Sequence, residues 1–364
     1  MRPPRAEQAA LLAFLTVVAL LVWAPAAPAA TAATAAPAAP AVAVPCGGTQ
    51  CPAPTPNPGW QPTARDAGGN PLNLRWQYQL QGARTSSGVC DTSQNPGGIN
   101  VTITGTSFTG SSGVSPAVFD IDHQIDQACD TSPPQFTQNT LAVQQLHARG
   151  AKVIGYVDAG TWEAFRADAA QFDSFDASCG RCLYGRTLSG FHDEKWLNIA
   201  PGATGINPNT GQPEDRQAFI LDQMRARVAA VKADGFDAVE FDNVDGWQNH
   251  TGLTLTADQQ LVYDSNLANI AHAASLSAAF KNDTDQIADA AGGLYRWFDF
   301  AINEQCAQYR ECAKYQPFLA ADKAVFQVEY KLSTGKFCPS SNAADLNAIL
   351  KTFDLFDLPW TPCR

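Results

Sequence analysis

The sequence predicts a single-domain α/β protein, a (β/α)8 TIM barrel with a long insertion between strands 1 and 2. Three observations lead there. Short β-rich runs alternate with helical patterns, the strand candidates number eight, and about 300 residues follow an atypical N-terminal leader. Alternation argues for parallel strands covered by helices, and eight strands argue for closure into a barrel, which commonly takes ~250 residues or more.

In chain order the expected strands are Arg75–Leu80, Ala117–Ile121, Lys152–Val157, Trp196–Ile199, Phe236–Phe241, Ser277–Lys281, Phe298–Ile302 and Ala324–Val328. Helical patterns fall at Thr137–Arg149, Asp215–Asp234 and Thr256–Ser275. Weaker ones fall at Asp285–Ala291 and Tyr309–Ala321, and the last covers Ala343–Thr352. Thr137 is the expected N-cap of the first helix and Gly150 its C-terminal stop; Gly235 follows the second in the same way. Thr256 and Gln259 have capping-box spacing, and Leu261, Leu267, Ile270 and Ala274 then form an apolar stripe. The segment Gly82–Gly113 is rich in Gly, Ser, Thr and Asn and carries no helical pattern. It forms the expected insertion, with a candidate hairpin in the run Val101–Thr104.

The leader reads in two parts. In residues 1–30, Arg2 and Arg5 precede an apolar run from Ala9 to Trp23 and a small-residue exit, the pattern of a secretory signal peptide. The run falls short of the roughly 20 residues that span a bilayer. Residues 31–59 are rich in Ala and Pro and are expected to be a disordered leader, leaving 60–364 as the barrel domain. No later segment is apolar and long enough to span a membrane, so the rest of the chain is expected to be soluble; with the signal peptide, an extracellular monomer is expected. Ten cysteines in an exported chain argue for disulfides. Cys46/Cys51, Cys179/Cys182 and Cys306/Cys312 are the close pairs, while the connectivity of Cys90, Cys129, Cys338 and Cys363 stays open. The five histidines lack ligand spacing and Cys179-Gly-Arg-Cys182 has no companion motif, so no zinc, other metal or cofactor is expected. A formal net charge of −11 disfavours nucleic acid and favours cationic or neutral partners.

Function in this architecture lies at the C-terminal ends of the strands. Nearly every expected strand is apolar and then ends in acids, amides or aromatics. The ends carry Asp120 and Asp122; Tyr156 and Asp158, with Glu163 and Arg166 close behind; Glu240, Asp242, Asn243 and Asp245; Lys281 and Asn282; Asn303 and Glu304; and Glu329 and Tyr330. Buried carboxylates are costly unless paired or used, so their recurrence at one rim points to a concave acidic site. Cleavage of a sugar polymer needs two carboxyl groups flanking one bond. Aromatic platforms and amides to hold sugars are also present, in Trp76, Tyr78, Tyr156, Trp162, Trp247 and Tyr330 beside Gln79, Asn243 and Asn282. Residue types alone nominate several acids without choosing between them.

The motifs Trp76–Leu80, Asp120-Ile-Asp122, Tyr156–Gly160 with Glu163 and Arg166, Glu194-Lys-Trp-Leu197, Gly235–Gly246, Lys281-Asn282, Asn303-Glu-Gln-Cys306 and Glu329-Tyr330 resemble glycoside hydrolase family 114. These are the endo-α-1,4-polygalactosaminidase-like barrels, and the resemblance covers the chain from Trp60 onward. It implies internal cleavage of α-1,4-linked galactosamine polymers, with Asp242 and Glu304 as the catalytic carboxylates. It also makes Asp122, Glu163, Asp245 and Glu329 subsite residues, and Lys281 and Asn282 groups that orient substrate or catalytic side chains. Phe241, Gly155 and Asn198 depart from the family pattern. A cationic aminosugar polymer suits the acidic cleft, with Asp122 and Glu163 as candidate ammonium partners. Two other readings use the same residues. One is a metal-dependent phosphodiesterase holding Ca²⁺ or Mg²⁺ on Glu240, Asp242, Asp245 and Glu304. The other is a carbohydrate-binding barrel without catalysis.

Overall fold

The computed structural model describes residues 43–364 apart from 47, 86, 92–93, 127–135 and 289–292. The expected signal peptide and the first part of the leader lie outside the described residues. Eight parallel strands form the barrel: β1 (Trp76–Gln79), β2 (Val118–Asp122), β3 (Lys152–Asp158), β4 (Ala238–Asp242), β5 (Ser277–Lys281), β6 (Phe300–Glu304), β7 (Val325–Glu329) and β8 (Asn347–Leu350). Each is hydrogen-bonded to the next in chain order. Their near-continuous burial explains the apolar runs in the sequence, because strands covered on both faces do not alternate. The β8–β1 seam is closed by side chains. Trp76 Nε1 donates to Asn347 O at 2.8 Å, and Leu74 N to Asn347 Oδ1 at 2.9 Å. A short strand, Thr361–Pro362, adds antiparallel to β8, and Trp360 Nε1 donates to Trp76 O at 2.8 Å.

Seven of the expected strands are barrel strands. The eighth, around Trp196, is not. Glu194–Leu197 is the middle strand of an antiparallel side sheet, between Thr161–Glu163 and Tyr184–Thr187. Its place in the barrel is taken by β8, which falls inside the expected helix Ala343–Thr352. A four-residue apolar run is too short for periodicity to separate strand from buried helix.

The helices are α1 (Thr140–Ala148), α2 (Ala169–Ser178), α3 (Arg216–Ala233), α4 (Ala257–Ala273), α5 (Cys306–Tyr309), α6 (Gln316–Ala320) and α7 (Thr334–Ala343). α4 carries the expected capping box of Thr256 and Gln259, and the Asp215 carboxylate caps α3. α1 starts after Asn139 and not at Thr137. The pattern Tyr309–Ala321 is broken into a 3-10 turn and α6, with Pro317 in the first turn of α6. Only a 3-10 turn, Thr284–Gln286, falls in the described part of Asp285–Ala291.

Residues 43–59, expected in the leader, depart from it. Ala43–Cys46 and Thr49–Pro52 form a hairpin closed by the Cys46–Cys51 disulfide, and both cysteines join the main core. Thr55 N then donates to Asn269 Oδ1 at 2.7 Å, and Asn57 Nδ2 to Asp299 Oδ2 at 2.9 Å. An Ala/Pro-rich composition does not prevent packing where side-chain amides and a disulfide supply specific contacts. Among the described residues the Gly82–Gly113 insertion is without helix; its hairpin pairs Gly105–Thr106 with Ser112–Val114, beyond Val101–Thr104. The Cys179–Cys182 and Cys306–Cys312 bridges form as expected, and Cys338 bonds Cys363. Cys90 is disulfide-bonded as well, and Cys129 lies outside the described residues. Among the described residues no helix is long and apolar enough to cross a membrane.

Candidate active site

Three successive strands end with the same backbone device. Asn243, Asn282 and Gln305 directly follow β4, β5 and β6, and all three have left-handed φ, at 57°, 50° and 62°. Asn tolerates this region, and Gln does so less readily, which marks the turn after Glu304 as a constrained one. The kinks present Asp242, Lys281 and Glu304 at the C-terminal rim. Close packing sets the neighbouring turn: Ala159 N and Gly160 N both donate to Asp242 O at 3.1 Å. A Cβ on Gly160 would fall 1.7 Å from Asn243 O, so only glycine fits there.

Lys281 is the hub. It is 1 % exposed, and its Nζ lies 2.6 Å from Glu240 Oε1, 3.0 Å from Asp242 Oδ1, 3.7 Å from Glu304 Oε2 and 3.0 Å from Tyr78 OH. Burial alone would pull the ammonium down, but Asp242, Glu240 and Glu304 together hold it well above the usual lysine range. Asp242 also accepts from Tyr156 OH at 2.9 Å. Glu304 accepts a short hydrogen bond from Tyr330 OH and a longer one from Asn282 Nδ2 at 3.4 Å, while its backbone N–H donates to Asn282 Oδ1 at 3.0 Å. Hydrogen bonds to a charged partner are worth about 1.5–3 kcal/mol each, enough to fix both carboxylates in orientation.

Both carboxylates open onto a cavity of about 590 Å³, of the size that takes small ligands. Tyr156, Asn243, Asp245, Lys281 and Asn282 line it with them, as the sequence reading requires. So do residues it did not single out as site groups: Glu194 and Trp196 from the side sheet, Phe191 from the turn before them, and Phe353 and Phe356 from the loop after β8. Phe191 and Phe353 are 41 % and 61 % exposed, with ring centroids 6.2 Å apart. Burial pushes Glu194 up to about 8, helped by the charges of Glu163 and Asp242. Asp245 is pushed up to about 6 by burial and by Asp242. The signal for Glu194 and Trp196 was present in the Glu194–Leu197 motif. The aromatics on loops carried none.

Five expected contact residues lie elsewhere. Trp76 is fully buried at the β8–β1 seam. Gln79 is spent on backbone carbonyls, donating to Gln81 O at 3.0 Å and to Gly98 O of the insertion at 3.3 Å. Glu329 is buried and accepts from Ala307 N at 2.8 Å, anchoring α5. Asp122 and Glu163 close on Arg166, which meets each with a pair of 2.8 Å hydrogen bonds, and none of the three lines the cavity. Burial works against Asp122, yet Arg166 and His123 hold its carboxyl down to about 2. Tyr330 is in the site through Glu304 and is not a lining residue.

Two carboxylates facing one cleft at the C-terminal end of a (β/α)8 barrel, with amide and aromatic side chains around them, are the arrangement of a glycoside hydrolase. A family model of glycoside-hydrolase family GH114 matches residues 52–363, and the chain belongs to that family. Among solved structures, Ega3 of Aspergillus fumigatus, in complex with galactosamine, is similar at 27 % identity and a TM-score of 0.58. The match covers 83 % of this chain and 97 % of Ega3. The glycoside hydrolase domain of PelA from Pseudomonas aeruginosa matches at 12 % identity and a TM-score of 0.44, over 68 % of this chain and 90 % of that one. A comparison with curated proteins finds no match.

Proposed function

We propose that this glycoside hydrolase is secreted and cleaves an α-1,4-linked galactosamine-containing polymer internally, using Asp242 as nucleophile and Glu304 as acid. The observation that carries the reading is the lysine ammonium shared by both carboxylates at the floor of the cleft. Lys281 Nζ stands closer to Asp242 than to Glu304, and this asymmetry is the ground for casting Asp242 as the nucleophile. In the first step Asp242 Oδ would bond to the anomeric carbon while Glu304 gives its proton to the departing glycosidic oxygen. In the second, Glu304 would take a proton from water as that water's oxygen replaces Asp242. The two lysine distances bound the separation of Asp242 Oδ1 and Glu304 Oε2 at about 6.7 Å, so both carboxylates can flank one glycosidic bond; retention is the course we propose. The metal-holding alternative is disfavoured because Lys281 Nζ already occupies the space among Glu240, Asp242 and Glu304.

The substrate reading rests on charge. Glu194, Asp245 and Asp354 line the cleft beside the proposed reacting pair, and Lys281, the one lining cation among the described residues, is buried. The candidate ammonium partners therefore move from Asp122 and Glu163, already paired to Arg166, to Glu194 and Asp245. Incubation with galactosamine, N-acetylgalactosamine and glucosamine polymers, with mass analysis of the products, tests this. Internal fragments from a galactosamine polymer, released first as the α-anomer by NMR, are expected. Cleavage confined to neutral or glucosamine polymers would refute the substrate, and initial release of the β-anomer would refute retention.

A further inference from the structure

Beneath the reacting pair lies a second pair of acids that the proposed reaction does not use. Asp120 on β2 and Glu240 on β4 are completely buried inside the barrel. Glu240 Oε1 is occupied by Lys281 Nζ at 2.6 Å and Tyr78 OH at 3.3 Å. Among the described residues Glu240 Oε2 and both oxygens of Asp120 meet no donor, and in the barrel register Asp120 and Ala238 pair with the same β3 residue, Ile154, which sets Asp120 and Glu240 on the two strands that flank β3. Two facing carboxyl groups can hydrogen-bond only when a proton lies between them, because a carboxylate has none to give. Both ionised, they would repel in a low-dielectric interior.

We propose that Asp120 is held as the neutral acid and donates its proton to Glu240, making it a positioning residue that fixes Glu240, and through it Lys281, between Asp242 and Glu304. The direction of the proton follows from the surroundings. Glu240 has Lys281 and Tyr78 to stabilise its charge, whereas Asp120 has no cation in contact among the described residues. Burial, and then the Glu240 charge, accordingly push Asp120 well above the usual carboxylate range. Burial raises Glu240 too, but Lys281 and the Asp120 hydrogen bond pull it back. Asp242 adds to the negative field on both, and Tyr78 stands beside Asp120 in register on β1. One neutral acid in this stack leaves Glu240 and Lys281 as a balanced ion pair. A second charge there would draw the ammonium inward, away from the rim.

The catalytic meaning rests on the reading of Asp242 and Glu304 as the reacting pair; the proton on Asp120 does not. Infrared difference spectroscopy at neutral pH, wild type against Asp120→Asn, reads that proton without substrate. Loss of one protonated-carboxyl carbonyl band is expected, and no lost band overturns the proposal. Were the Asn variant not to fold, wild type against Glu240→Gln serves. The Asp120 band should then move with the change of acceptor, and an unmoved band is the overturning result. In kinetics, Asp120→Ala should lower kcat roughly tenfold and shift the pH–rate limbs, since Glu240 loses its donor. Asp120→Asn, whose amide can still donate, should restore most of that loss and return the limbs. An Asn variant as impaired as the Ala variant overturns the positioning role.

Discussion

Two buried charge clusters share this barrel rim, and they are built to opposite rules. Around Arg166 and Arg227, two guanidiniums meet three carboxylates in matched, fork-shaped geometry. Arg166 grips Asp122 and Glu163, and Arg227 grips Asp168 at 2.8 and 2.9 Å while donating to Asp158 O at 2.7 Å. Around Lys281, one point charge serves Glu240, Asp242 and Glu304, and two of those acids reach a cleft. A fork-shaped guanidinium saturates its partners, whereas an ammonium with three acids leaves carboxylate oxygens available for chemistry. Fork-matched pairing holds the fold, and the larger deficit of positive charge around Lys281 marks the place proposed for reaction. Sequence shows both clusters as acids at strand ends and does not tell them apart.

The sharpest way to break this comparison is to remove the two groups proposed to react. Asp242→Asn and Glu304→Gln should each lower kcat by about 10³-fold or more while leaving Tm within a few degrees, measured by turnover and calorimetry. Retained turnover in either would end the catalytic assignment. Arg166→Met should do the reverse. It strands Asp122 and Glu163 without their cation, at a cost of about 3–5 kcal/mol in denaturant unfolding, and the folded fraction should keep most of its kcat. A stable but inactive Arg166 variant would place that cluster in the reaction after all.

A smaller effect tests the Arg166 cluster by pH. Arg166 and His123 hold the Asp122 carboxyl down to about 2 in the folded chain against an ordinary 3.8, so its contribution is present above 3.8 and is lost as pH falls through 2. The contribution is on the order of 2 kcal/mol, and an Asp122→Asn variant should lack that portion of the acid-induced loss. The smallest expected change lies in the cleft wall. Glu194 is raised to about 8 from 4.5, so its folded state holds a proton that the unfolded state loses, and stability falls as pH rises across that window. A bound ammonium would stabilise the charged form. Glu194→Gln should therefore raise KM for a cationic polymer several-fold, about 1 kcal/mol, with little change for an acetylated one. Equal changes for both polymers would remove Glu194 from substrate recognition.

Much of the architecture was legible because parallel barrel strands are both apolar and closed by polar rims. Val239–Asp242 and Ile302–Glu304 show this in a handful of residues. β8 was hidden because Asn347–Leu350 is too brief to carry a period, and Trp196 misled because an antiparallel side strand has the same composition as a barrel strand. Asp242, Lys281, Asn282 and Glu304 converge as expected, each fixed by its own strand end. Asp122 and Glu163 were misread because their fate is decided by Arg166, 44 positions beyond Asp122, and such a partnership is settled only in three dimensions. Phe353 and Phe356 sit on a loop, whose course a local pattern does not encode.

Gly160 bears on any attempt to redesign this enzyme. With Asn243 O pressed against the position a methyl group would take, the spacing between the third and fourth strand ends is written in backbone, and Asp242 inherits it. A library that varies Gly160 would fill with misassembled sites whatever substrate it selects for. The Leu188–Phe191 turn and the Phe353–Phe356 loop border the same cleft on segments outside the barrel strands. Diversity placed there can reshape sugar preference while the reacting groups keep their register.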